Sequence, residues 1–92
     1  MEHLSIKEIH DRLEELIDWD MTGHAITKEF EFKDSKEAMD FVNKIGEEAE
    51  RQHHHPDISI KYNKVIITLT THDAGGLTHQ DFKMAKIIEQ LV

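Results

Sequence analysis

The 92-residue chain has no cysteine and only one proline, one tryptophan and four glycines. Without cysteine there is no disulfide, no thiolate metal site and no cysteine nucleophile, so packing or oligomerisation must supply the stability. No apolar run approaches the roughly 20 residues of a membrane span, and the acidic, amphipathic start lacks the basic-then-apolar order of a signal peptide. These absences lead us to expect a soluble, cytoplasmic protein without a membrane partner.

Positive charge is also scarce, because eleven Lys and Arg stand against nineteen Asp and Glu, for a formal charge of −8. The basic residues are scattered along the chain, unlike the clustered charge of a nucleic-acid binder, so we expect no nucleic-acid partner. A small molecule is easier to reconcile with this surface. At this length the chain can bury one compact core, so residues 1–92 are predicted to form a single domain.

The first part of the chain has the pattern of a helix followed by a β-hairpin. Ser5 and Glu8 have the spacing of a capping box, and apolar residues then recur every three or four positions, which predicts a helix from about 5 to 17. Residues 26–32 alternate between apolar and polar types after a turn at 22–24, which predicts the hairpin.

The second part repeats that order and adds a final helix. Asp34 with Glu37 offers a second capping box, for a helix that Pro56 ends. Alternating residues at 58–62 and β-branched residues at 65–71 predict two strands joined by a turn at Asn63 and Lys64. Thr78 is expected to cap the last helix. The inward positions of that helix are Phe82, Ala85, Ile88 and Leu91.

Two hairpins and three amphipathic helices predict an α+β fold of order α-β-β-α-β-β-α, in which three helices pack on one face of a four-stranded antiparallel sheet. The other face then lacks cover. Strand residues such as Ile66 and Thr68 could meet water or a second subunit there. We therefore predict a homo-oligomer, with a dimer and a tetramer both open.

Three consecutive histidines, 53–55, stand directly before the only proline. One interpretation is a solvated helix end, where an imidazolium favours the negative end of the helix dipole. A second is a zinc or iron site, but the helical HxxxH and HExxH spacings are absent and adjacent histidines rarely converge on one ion, so no metal is predicted. The third is acid–base chemistry. Because the residue before proline avoids the helical region, His55 should be extended, whereas His54 can lie on or just past the last helical turn.

Three motifs together resemble those of the pterin-4a-carbinolamine dehydratase family, and the similarity runs from the first helix to the C-terminus. They are ExxxHHP (Glu50, His54, His55, Pro56), YNKV (62–65) and THDAGGLTHQD (71–81). The resemblance implies a cytoplasmic hydro-lyase of the 4a-hydroxytetrahydrobiopterin dehydratase type, which removes water from a 4a-hydroxytetrahydropterin and gives quinonoid dihydropterin in tetrahydropterin recycling. It implies no metal and no cofactor, since the pterin is the substrate.

The resemblance also assigns the site residues. It places the active-site histidines at His54, His55 and His72, supporting acidic residues at Glu50 and Asp81, and substrate contacts at His55, Pro56 and Thr71. Many relatives carry aromatic residues where this chain has Ile58 and Ser59, which leaves the identity of the pterin open. A non-enzymatic pterin-binding or dimerisation module is the alternative function.

The dehydration needs an acid for the C4a hydroxyl and a base for the N5 proton. The unperturbed pKa of histidine, about 6.5, makes both forms accessible near neutrality. We expect His54 and His72 to handle the two protons, in either order, and His55 to orient the substrate. Glu50 precedes His54 by four residues, so its carboxylate is expected to meet that imidazole on one helical face. Asp81 has two possible roles, because Thr78-x-x-Asp81 also has the spacing of a capping box.

Overall fold

The computed structural model describes residues 2–92 and has the predicted α+β fold, with three helices on one face of a four-stranded antiparallel sheet. Its elements are α1 (Ile6–Leu13), β1 (Asp20–Thr22), β2 (Ala25–Glu31), α2 (Ser35–Gln52), β3 (Asp57–Lys61), β4 (Lys64–Leu69), a 3-10 turn (His72–Ala74) and α3 (His79–Glu89). Among these residues no helix is both long and apolar enough to cross a membrane.

The sheet has the strand order β1-β2-β4-β3, so β2 and β4 form its centre. Ile26 pairs with Leu69 and Phe30 with Val65, and directly opposed residues of an antiparallel pair share one face. These four side chains are buried and pack against helical residues in a single apolar cluster. On the opposite face Thr27 and Thr68 are only half-buried, since no element of the chain covers them.

The capping box of α1 is confirmed, and that of α2 is only half formed. Ser5 Oγ accepts the Glu8 N–H at 3.2 Å, and Glu8 Oε1 accepts the Ser5 N–H at 3.0 Å. Asp34 Oδ1 accepts the Glu37 N–H at 2.9 Å, but Glu37 Oε1 accepts the N–H of Lys33 instead of that of the cap. The prediction of a second complete capping box is therefore wrong, although Asp34 is the N-cap.

The first helix ends at Leu13 and not near 17. The N–H of Leu16 donates to the Leu13 carbonyl at 3.0 Å, an i→i−3 bond that tightens the chain beyond α1 and takes it off the helical path. Ile17 is consequently 74% exposed, although the sequence places it on the apolar stripe. Trp19, two residues later, is buried, and its Nε1–H donates to Glu89 Oε1 at 2.8 Å.

The second hairpin differs from the prediction by one residue at its turn and by two at its end. The turn is Tyr62–Asn63 instead of Asn63–Lys64, because Tyr62 adopts the left-handed conformation (φ 55°) and Lys64 already pairs with Lys61. β4 ends at Leu69, and Thr71 makes only an isolated bridge with Gly76. The alternation of the predicted strand would place His72 at its end, on the face of Ile66 and Thr68. This expectation is wrong, because His72 lies in the 3-10 turn.

Candidate active site

The end of α2 turns the second of the three histidines inward. His53 is the C-cap of this helix and adopts the left-handed conformation (φ 52°, ψ 40°). The chain reverses there, and the His54 N–H donates to the Ala49 carbonyl at 3.1 Å, which closes the helix end. His54 is buried just past the last helical turn, as predicted, whereas His53 and His55 are exposed.

The imidazole of His54 pairs with a carboxylate that is fully buried at the start of α3. His54 Nε2 lies 2.6 Å from Asp81 Oδ1. An ionised carboxylate can only accept hydrogen bonds, so Nε2 carries the hydrogen and donates it. His54 Nδ1 is then the ring nitrogen that can take up or release a proton.

Asp81 also performs the structural role that the sequence left open. Its second oxygen, Oδ2, accepts the Thr78 N–H at 2.9 Å, which completes the capping box of α3. The same oxygen accepts the Thr71 hydroxyl at 2.8 Å. Asp81 therefore caps a helix and pairs with the buried imidazole of His54 at once.

The Thr71 hydroxyl is committed to this buried network. Its single hydrogen goes to Asp81 Oδ2, so the Thr78 hydroxyl, 2.9 Å away, must be the donor in the Thr71–Thr78 bond. Thr71 retains about 9% of its surface, and that remainder borders the cleft described next. The Thr71 hydroxyl therefore positions the Asp81 carboxylate, in addition to the substrate contact that is predicted for this residue.

The predicted histidines border one open cleft of about 260 Å³. The cleft is slightly smaller than the roughly 300–1,000 Å³ of typical ligand sites, and its walls are about equally polar and apolar. Its lining residues are His53, His54, His55, Thr70, Thr71, His72, Asp73 and Gln80. His54 and His55 thus meet His72 from a separate segment, whereas Pro56 lies outside this lining.

Glu50 does not contact the histidine that the helical spacing assigns to it. Its Oε1 lies 3.6 Å from His55 Nε2, and both side chains are more than half exposed. The left-handed residue at 53 takes His54 off the face of α2, so the i to i+4 relation no longer holds. The expected Glu50–His54 contact is wrong, and an exposed pair such as Glu50–His55 is typically worth about 0–1 kcal/mol.

Sequence reasoning did not assign four of the lining residues to the site, namely His53, Thr70, Asp73 and Gln80. Asp73 and Gln80 lie inside the THDAGGLTHQD motif (71–81), and His53 and Thr70 directly precede motif residues, so the motif was the available signal. Within residues 2–92 no three His, Asp or Glu side chains are arranged to hold a metal ion.

Comparison with known proteins supplies an independent view of this chain. The sequence model of the family described as pterin 4 alpha carbinolamine dehydratase matches residues 2–91. A protein of Cyanothece sp. that carries this family name provisionally is 56% identical over 88 residues, which cover 96% of this chain and 91% of the relative.

Two further relatives, one in sequence and one in structure, agree with that match. A protein of Sulfurisphaera tokodaii, with the same provisional name, is 48% identical over 92 residues, which cover 100% of this chain and 99% of the relative. The crystal structure of a transcriptional coactivator/pterin dehydratase from Brucella melitensis superposes with a TM-score of 0.94 at 35% identity, and the match covers 97% of each chain.

Proposed function

This chain belongs to the pterin-4a-carbinolamine dehydratase family, and from that premise we propose that it is a hydro-lyase that removes water from a 4a-hydroxytetrahydropterin. The product is quinonoid dihydropterin, which a reductase can return to tetrahydropterin. The observation that supports this proposal most is the cleft shared by His54, His55 and His72. The proposed reaction uses no metal and no cofactor.

The chemistry requires two proton transfers around one bond cleavage. The C4a–O bond breaks, the N5 lone pair forms the C4a=N5 double bond, the N5 proton passes to a base, and the hydroxyl leaves as water after receiving a proton from an acid. A histidine on each of two segments can supply both groups without a metal. A positioned acid or base typically contributes about 10²–10⁴-fold to the rate.

We assign the two protons to His54 and His72 and leave their order open. His54 works through Nδ1, because Asp81 holds Nε2 and fixes both the tautomer and the ring orientation. Asp81 stabilises the imidazolium whenever Nδ1 is protonated. His72 is exposed at the start of the 3-10 turn, in a segment separate from the end of α2.

His55 has the role of binding and orienting the substrate. It is exposed at the mouth of the cleft, and its only charged neighbour within 4 Å among residues 2–92 is Glu50. Glu50 therefore supports His55 rather than His54. Pro56, Thr71 and His55 remain the proposed substrate contacts.

The test is stopped-flow dehydration of a synthetic 4a-hydroxytetrahydropterin, with equilibrium binding of a stable pterin measured in parallel. The dehydratase assignment predicts a concentration-dependent acceleration over the uncatalysed reaction together with saturable binding. Saturable binding without acceleration would instead support a non-enzymatic binding module. A chain that neither binds pterin nor accelerates its dehydration would contradict both assignments.

A further inference from the structure

A second cleft, of about 370 Å³, lies between the end of α1 and the exposed side of α3. Six of its lining side chains are Arg12, Glu15, Gln80, Phe82, Lys83 and Lys86. Three of these are cationic, on a chain whose formal charge is −8. A local excess of positive charge on an acidic protein suggests an anionic ligand.

Two of the cations in this cleft have no carboxylate partner. Most basic side chains of the protein lie within 4 Å of an Asp or Glu, as Lys86 does with Glu15 at 3.0 Å. Among residues 2–92 neither Arg12 nor Lys83 has such a neighbour, and Arg12 is half-buried. The five donors of the Arg12 guanidinium favour carboxylate or phosphate oxygens, and no side-chain carboxylate among residues 2–92 lies within 4 Å of it.

The acidic groups near the cleft offset only part of its positive charge. Glu15 pairs with Lys86, which leaves the cations of Arg12 and Lys83. Hydrogen bonds from Ser5 are the main reason why the pKa of Glu8 lies below its usual value, and the charge of Arg12 lowers it further, so Glu8 offsets part of the charge of Arg12. Among residues 2–92 no carboxylate lies within 4 Å of the Arg12 or Lys83 cation.

The basic cleft and the histidine cleft share lining residues with a third space. A smaller space of about 140 Å³, lined by Gln52, His54, Gln80, Lys83 and Met84, lies between them. It shares His54 and Gln80 with the histidine cleft, and Gln80 and Lys83 with the basic cleft. Lys83 is three residues after Gln80 on α3, which corresponds to a rise of about 4.5 Å along the helix axis. A ligand side chain of a few bonds can span that distance.

We propose that Arg12, Gln80 and Lys83 form an anion subsite that binds a phosphate or carboxylate at the end of the pterin side chain. The inference rests on the proposed function, since it places the bicyclic ring at His54, His55 and His72. It names the substrate class: 4a-hydroxytetrahydropterins with an anionic side chain are preferred to those with a neutral one.

The decisive comparison is kcat/KM for three substrates that differ only in the side-chain end: neutral, phosphorylated and carboxylated. The inference predicts that at least one anionic substrate is preferred by about tenfold or more, the size expected of one charge-assisted hydrogen bond. The preference should shrink as ionic strength rises. The comparison of the phosphorylated with the carboxylated substrate identifies the preferred anion. Equal kcat/KM for all three substrates would overturn the inference.

Three variants test whether the preference for anionic substrates depends on Arg12 and Lys83. Lys83→Ala and Arg12→Gln should each lower kcat/KM for the preferred anionic substrate about tenfold more than for the neutral one. Lys44→Ala is the matched control, because Lys44 is likewise an exposed helical lysine without a carboxylate partner among residues 2–92, and it should leave the preference intact. An equal loss on anionic and neutral substrates in Lys83→Ala would mean that the subsite does not exist.

Binding of oxidised, unreactive pterins separates this inference from the proposed reaction. If an anionic oxidised pterin binds more tightly than the neutral one and Lys83→Ala abolishes the difference, the subsite stands even if no dehydration is observed. If dehydration proceeds and the oxidised pterins bind equally, the subsite is wrong and the reaction stands.

Discussion

At the residue scale, a buried hydroxyl donates to the carboxylate that pairs with His54. Thr71 donates to Asp81 Oδ2, and Asp81 Oδ1 accepts from His54 Nε2. Because all three side chains are buried, a partner lost from this network is not replaced by water without rearrangement. The orientation of the His54 ring therefore depends on a residue that does not touch it.

Replacing Thr71 by valine tests this dependence, since valine has nearly the same shape and no hydroxyl. We expect Thr71→Val to lower the free energy of unfolding by about 1–3 kcal/mol, because Asp81 loses one buried hydrogen bond and Thr78 loses another. We also expect kcat to fall several-fold. Thr71→Ser should restore both quantities, measured by urea denaturation and single-turnover kinetics. Equal kcat in the two variants would show that the hydroxyl does not position His54.

The two acidic residues of the motif should differ sharply when neutralised. Asp81→Asn should lower kcat by about tenfold or more, a share of the 10²–10⁴ that a positioned acid or base contributes. Glu50→Gln should change kcat less than about threefold, because its contact with His55 is solvent-exposed. The measurement is kcat for both variants at one pH. A larger loss for Glu50→Gln than for Asp81→Asn would contradict the assignment.

The three histidines of the candidate site could be predicted from the sequence to lie near one another, but not all of their contacts. Residues 54, 55 and 72 carry the motif, and the structure brings them to one cleft. Helical spacing pointed to Glu50 as the partner of His54, but α2 ends at Gln52, two residues before His54, so that spacing does not apply. A left-handed histidine is uncommon, so nothing in the sequence marked the reversal at His53.

At the element scale, the end of α2 is set by a residue that is not glycine. His53 has φ 52°, and a side chain in the left-handed region typically costs about 1–2 kcal/mol relative to the right-handed one. Glycine avoids this cost, which is why it is the usual residue at this position of a helix end. His53 thus has a structural role at the end of α2.

His53→Gly separates structure from catalysis at this helix end. Glycine relieves the left-handed strain but gives the unfolded chain more entropy, so the free energy of unfolding should stay constant or rise by up to about 1 kcal/mol. kcat should stay within twofold of the wild type, about the scatter of such assays, because His54 keeps its pairing with Asp81. Denaturation and single-turnover assays on the same preparation check both values, and a tenfold loss of kcat would place His53 in the chemistry.

Element types could be predicted from periodicity more reliably than element ends. The capping residues Ser5, Asp34 and Thr78 mark three true helix starts, because a side chain that accepts a backbone N–H is a local signal. The end of α1 has no such signal. It is set by the burial of Trp19 and its bond to Glu89, a contact between residues 70 positions apart.

At the scale of the whole molecule, α3 is tied to the sheet by a partly buried ion pair. Lys28 lies on the helix-facing side of β2, opposite Ile67, and its ammonium group pairs with Glu89. Glu89 also accepts the Trp19 indole N–H, so one carboxylate joins α3 to β2 and to the segment before β1. These contacts hold α3 against the face of the sheet that carries Lys28.

The uncovered face of the sheet is where we expect a second subunit. Ile66 is half-buried in the centre of the face, between Glu29 and Ser59 on the neighbouring strands. Sedimentation equilibrium should give two or four times the chain mass of 10.8 kDa. Ile66→Lys should shift the population toward the single chain, because it places a charge in the interface. A wild-type mass of 10.8 kDa at micromolar concentration would contradict the expected homo-oligomer.

The most direct test of the shared histidine cleft is the single-turnover rate of carbinolamine dehydration in His54→Ala and in His72→Ala, with circular dichroism to confirm that each variant is folded. If the two imidazoles carry the two protons, each variant should lose one or more orders of magnitude in rate, as expected when a positioned acid or base is removed. A near-wild-type rate in either folded variant would remove that histidine from the mechanism and contradict the proposed division of the chemistry.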